Sequence, residues 1–75
     1  MDRKILEIAA DAMKVTPEDA EKHHKEIPDH HCFYFWNPVR GGISVIVNTD
    51  GEKLAAGSAV RFEKHLKAFL DGRRN

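Results

Sequence analysis

Cys32-Phe33-Tyr34-Phe35-Trp36 and Ile43-Ser44-Val45-Ile46-Val47-Asn48, followed by Thr49-Asp50-Gly51-Glu52, decide how this chain must fold. The first run holds four of the six aromatic residues, and the second is a Val/Ile run; both compositions favour strands. Side chains alternate across a strand. Phe33 and Phe35 therefore share one face, with Cys32, Tyr34 and Trp36 on the other. In the second strand Ile43, Val45 and Val47 oppose Ser44, Ile46 and Asn48. Asn37 to Gly42 reads as a turn, and Asp50-Gly51 is a pair favoured in tight hairpins. Lys53 to Ala56 makes a short third strand. Short connections of this kind force an antiparallel meander.

Helices flank this sheet. Ile5, Ile8, Ala9, Ala12 and Met13 recur at helical spacing, so residues 2–14 read as an amphipathic helix with Asp2 as N-cap. Thr16-Pro17-Glu18-Asp19 restarts a helix: Thr16 caps, Pro17 needs no donor at the first position, and the acids suit the positive end. This polar second helix spans roughly 17–26 and stops at Pro28. Gly57-Ser58 ends the sheet, with Ser58 as the cap of a last helix over about 59–71. Phe62, Leu66, Phe69 and Leu70 form its stripe, and Gly72 is placed to end it.

The expected fold is a single small α+β domain over 1–75. It is a two-layer sandwich, a three-stranded antiparallel meander packed on helices in the order α-(α)-β-β-β-α. Phe33 or Phe35 is expected to join Val45, Phe62, Leu66, Phe69, Ile5 and Ile8 in one core cluster. Twelve basic residues balance twelve acidic ones, which disfavours a generic polyanion binder. A single cysteine excludes an intramolecular disulfide. Glu7 and Asp11 interrupt the apolar stretch a signal peptide would need, and no run approaches a membrane span. A cytoplasmic protein is the expected class.

Residues 32–70 resemble a family of small bacterial immunity-type proteins found beside polymorphic toxins. The likeness lies in Phe33-Tyr34-Phe35, Ile43 to Val47, Gly51-Glu52, Gly57-Ser58 and the closing helix Phe62 to Leu70. It implies inhibition by binding, without catalytic residues. The order helix, three strands, helix also resembles that of double-stranded-RNA-binding domains, which grip phosphates with lysines at the start of the last helix. Here that start reads Val60-Arg61-Phe62-Glu63-Lys64, with an acid in the middle.

His23, His24, His30, His31 and Cys32 lie within ten residues. Zinc takes such nitrogen and sulfur ligands, but the spacing fits no standard zinc signature. No metal or other cofactor is expected. A strand cysteine among aromatics reads as a small buried hydrophobe more readily than as a nucleophile, and Gly41-Gly42 as a turn. No enzymatic activity is expected.

The remaining feature is surplus apolar strand surface. If Phe33 and Phe35 face the helices, then Tyr34, Trp36 and Ile46 lie on an open sheet face, with Arg40 at its rim. Such a cluster is a candidate contact surface for a protein partner or a second copy of the chain. The free sheet edges are further self-contact sites. The alternative is nucleic-acid binding through Arg61, Lys64, Lys67, Arg73 and Arg74 on and beyond the last helix. No membrane is implied.

Overall fold

The computed structural model describes residues 2–37, 42–57 and 59–75. Helix α1 runs Arg3–Met13 and helix α2 runs Pro17–Lys22. Strands β1 His24–Ile27, β2 Cys32–Trp36, β3 Ile43–Asn48 and β4 Lys53–Gly57 follow, and helix α3 Phe62–Leu70 closes the chain. The sheet has the order β1-β2-β3-β4, with every neighbouring pair antiparallel.

The expected meander is therefore present, with one more strand than the sequence pattern indicates. α2 ends at Lys22, not near residue 26, and His24-Lys25-Glu26-Ile27 pairs with β2 from His24↔Phe35 to Ile27↔Cys32. Of those four residues Ile27 alone favours a strand intrinsically. They become one because β2 presents an unpaired ladder beside them, and buried backbone groups must find partners. A single 3-10 turn at Pro28–His30 and a left-handed His31 (φ 51°) lead from β1 into β2.

The second departure concerns the layers. α1 and α2 cover the face of Phe33, Phe35, Val45, Val47 and Ala55. α3 covers the opposite face, where Phe69 and Leu66 pack with Cys32, Ile46, Tyr34, Leu54 and Ile27. The expected two-layer sandwich is thus a sheet with helices on both sides, and the single expected core is two clusters separated by the sheet. The cause lies in β3: Ser44, Val45, Ile46 and Val47 are all buried, so neither face tolerates water.

Cap geometry sets the helix ends. Asp2 Oδ1 accepts from Lys4 N–H at 2.8 Å, and Thr16 Oγ1 from Asp19 N–H at 3.2 Å, as the sequence indicates. α1 buries Ile5, Leu6, Ala9, Ala10 and Met13, so its stripe is rotated toward Leu6 and Ala10, while Ile8 and Ala12 pack at the margin. The expected Ser58 cap lies outside the described residues. α3 begins at Phe62, and its N-cap, Arg61, makes no side-chain cap hydrogen bond. Its buried residues are His65 and Phe69, with Leu70 47% exposed. The stripe thus runs through His65 where the pattern places Leu70.

At the end of α3 the Gly72 N–H donates to Phe69 O at 3.1 Å and the Arg73 N–H to Ala68 O at 3.1 Å. With Gly72 at φ 99°, this is a Schellman termination. α1 ends the same way, Val15 N–H donating to Ala10 O at 3.0 Å, but Lys14 holds the left-handed position at φ 59°. A side chain there costs about 1 kcal/mol relative to glycine. Lys14→Gly is therefore expected to stabilise the fold by roughly 0.5–1 kcal/mol, read as a higher urea midpoint at unchanged slope. An unchanged or lower midpoint would contradict this account of the α1 terminus.

Candidate partner-binding surface

The sheet face that the sequence leaves open is partly closed by α3. Ile46 is completely buried in the cluster with Phe69, so it offers a partner nothing. Arg40 lies outside the described residues. Tyr34 and Trp36 are half-buried. Of the four expected contact residues, these two keep accessible surface in the structure.

Register and alternation place them. Tyr34 stands between Lys25 of β1 and Ile46 of β3, and Trp36 stands opposite Ser44. The two rings stack at 5.9 Å between centroids and 29° between planes. Phe62, at the first position of α3, meets Tyr34 edge-on at 4.7 Å, and the His23 ring meets Trp36 edge-on at 6.1 Å. The quadrupoles of these rings favour offset and edge geometries. Lys25 Nζ lies 3.9 Å from the centroid of Phe62, a cation–π contact at an exposed position. The Tyr34 hydroxyl donates to Ser44 Oγ at 3.1 Å, which fixes the ring.

The result is a continuous row, His23–Trp36–Tyr34–Phe62, with Lys25 along its side. The sequence points to Tyr34 and Trp36 through strand alternation. It points to neither Lys25 nor His23, because β1 is not legible, and it assigns Phe62 to the core.

The histidines and Cys32 do not assemble. His23 Nδ1 is 2.9 Å from Asp19 O and His24 Nδ1 contacts Glu21 O, so both rings are used at the end of α2. His24 lies against Phe35 on the α1 face, whereas Cys32 faces α3. His30 and His31 are exposed in the turn. Among the described residues no three His, Cys, Asp or Glu side chains form a metal-ligating group. Burial pushes the Cys32 thiol above its usual range, and the Arg74 guanidinium nearby opposes that only in part. A thiol held protonated is a poor nucleophile.

The five cations of the alternative site divide. Arg74 is turned inward: its guanidinium lies 3.8 Å over the Phe69 ring, donates to Phe69 O at 2.7 Å and approaches Glu52 at 3.5 Å. Lys64, Lys67 and Arg73 line one shallow depression with Ala68 and Asp71. Arg61 is exposed at the start of α3.

A cavity of about 230 Å³ lies between β4 and α3, lined by Leu54, Ala55, Ala56, Val60, Lys64, His65, Ala68 and Arg73. His65 is buried, and its Nε2 lies 2.7 Å from Leu54 O, which requires the proton on Nε2. Its Nδ1 has no hydrogen-bond partner among the described residues. No helix among the described residues is long and apolar enough to cross a membrane. Comparison with protein-family models, curated proteins and solved structures finds no match for this chain.

Proposed function

We propose that this chain is a non-enzymatic protein-binding module and that its partner docks on the aromatic row Trp36–Tyr34–Phe62. The observation that carries this reading is the row itself: three half-buried rings, Tyr34 touching both Trp36 and Phe62, fixed by the sheet and by Ser44, with a lysine beside them. Interface energy concentrates in a few large, rigid side chains that lose little entropy on binding, and aromatic rings are prominent among them. The zero net charge of the chain agrees with affinity residing in such side chains. The likeness of residues 32–70 to immunity-type proteins points the same way, toward a role exercised by contact.

The test compares pull-downs from a lysate of the source cells. Trp36→Ala is expected to weaken retention of the partner by about 2 kcal/mol or more, while helical circular dichroism stays at the parental level. Lys64→Glu with Lys67→Glu is expected to leave retention unchanged. If the charge-reversed variant loses the partner and Trp36→Ala keeps it, the aromatic row is not the interface. That result would instead favour nucleic-acid binding, which draws on the convergence of Lys64, Lys67 and Arg73 around one depression.

A further inference from the structure

We propose that the outer edge of β4 is a second binding site, which takes an extended acidic peptide as a fifth strand parallel to β4, and that Asn75 occupies this site within the chain. The site is separate from the aromatic row, which lies on β1, β2 and the start of α3.

The argument begins with the ladder. Asn48 N–H donates to Glu52 O at 3.0 Å, so by alternation Leu54 and Ala56 turn their backbone groups toward β3. Lys53, Ala55 and Gly57 turn theirs outward, the usual liability of an edge strand. Asn75 covers two of them. Its N–H donates to Lys53 O at 3.1 Å, its Oδ1 accepts from Ala55 N–H at 2.9 Å, and its Nδ2 donates to Ala55 O at 3.2 Å. In a parallel ladder, a residue beside Leu54 gives its N–H to Lys53 O and receives Ala55 N–H on its own carbonyl. The N–H two residues further on then reaches Ala55 O. The Asn75 side-chain amide stands in for that carbonyl and that N–H. Its main-chain oxygen, displaced from the ladder, accepts from Lys53 Nζ at 2.8 Å. One residue thus reproduces the hydrogen bonding of an added strand, and a peptide main chain supplies the same bonds with its own amides.

The surroundings select the peptide. A residue in the place of Asn75 lies beside Leu54, on the face of α3, next to the cavity of about 230 Å³. That space takes one aliphatic side chain against Leu54, Val60 and Ala68. Lys64 and Arg73 line the same cavity and Lys67 lines the adjoining depression, against Asp71 alone among the acids of the two linings. Three cations to one carboxylate favour acidic residues flanking the aliphatic one.

The probe is the blocked peptide Glu-Thr-Val-Thr-Glu, titrated into the full chain and followed by amide NMR. It is expected to shift the Lys53, Ala55 and Gly57 resonances and to slow exchange of the Ala55 N–H. Asn75→Ala removes the internal competitor and is expected to tighten binding about tenfold. Lys64→Glu with Arg73→Glu is expected to weaken it at least tenfold, and Trp36→Ala to leave it unchanged, so this site and the aromatic row fail or stand separately. The proposal is overturned if neither the parent nor Asn75→Ala responds at millimolar peptide, or if Asn75→Ala binds more weakly than the parent. Equal binding of Lys-Thr-Val-Thr-Lys would overturn the acidic preference. Shifts at Lys64, Lys67 and Arg73 with an oligothymidylate but none with the acidic peptide would make this face a nucleic-acid surface instead.

Discussion

Phe35→Ala is expected to cost about 3–5 kcal/mol and to leave most molecules unfolded at room temperature. Phe35 is completely buried, the largest side chain in that state among the described residues. It is the fourth of the five residues of β2, level with Val45 of β3 and Ala55 beyond it, and His24 of β1 lies against its ring at 5.7 Å. α1 closes over it with Ile5, Leu6, Ala9, Ala10 and Met13. Truncation removes contacts to helix and sheet together, and the small residues of α1 cannot expand into the space. A chain of 75 residues has a total stability of roughly 4–11 kcal/mol, so the loss is comparable with the whole. Urea unfolding followed by circular dichroism measures it. Phe33→Ala, at a half-buried position on the same face, is the internal comparison and is expected to cost less. A Phe35→Ala variant that melts cooperatively within a few degrees of the parent would mean that α1 does not pack where the register of β2 and β3 places it.

The same residues show what the sequence can and cannot disclose. β2 and β3 are legible because aromatic and β-branched side chains alternate over lengths that admit no other element. The Asn48 to Glu52 turn is legible because Asp50-Gly51 is a local signal, and Gly51 does adopt φ 87°. β1 is not legible, since in His24-Lys25-Glu26-Ile27 only Ile27 favours a strand, and the run takes its conformation from β2. The placement of the helices is hidden for a related reason. Alternation divides β3 into two faces, but it does not say which helix covers each. The available signal that both faces need a cover is composition, since Ile46 and Cys32 are as apolar as Val45 and Phe35. His65 escapes because a histidine at a helical core position looks polar until Leu54 O is found opposite its Nε2. Asn75 lies 20 residues from Ala55, and no local pattern anticipates a side-chain amide completing a sheet edge.

The cover that α3 provides yields the second large effect. Phe69→Ala is expected to cost about 3–5 kcal/mol and to open Cys32 to reagents. Phe69 is the one fully buried apolar side chain that α3 contributes, and it packs with Cys32 and Ile46. The Arg74 guanidinium lies over its ring and donates to its carbonyl, so Phe69 also anchors the chain beyond the helix. Cys32 is 1% exposed, and its burial both shields the sulfur and keeps the thiol protonated. Labelling by a disulfide reagent therefore has to wait for an opening of the α3 face. At about 1.4 kcal/mol per tenfold, the lost packing should raise the population of open molecules by roughly two to three and a half powers of ten, and the labelling rate with it. Leu70→Ala supplies the control: its side chain points outward at 47% exposure, so the labelling rate should stay within a few-fold of the parent. If Phe69→Ala leaves the rate unchanged, or Leu70→Ala raises it as much, the buried side of α3 is not the one that carries His65 and Phe69. Tyr34 and Trp36 would then regain the open face that alternation alone gives them.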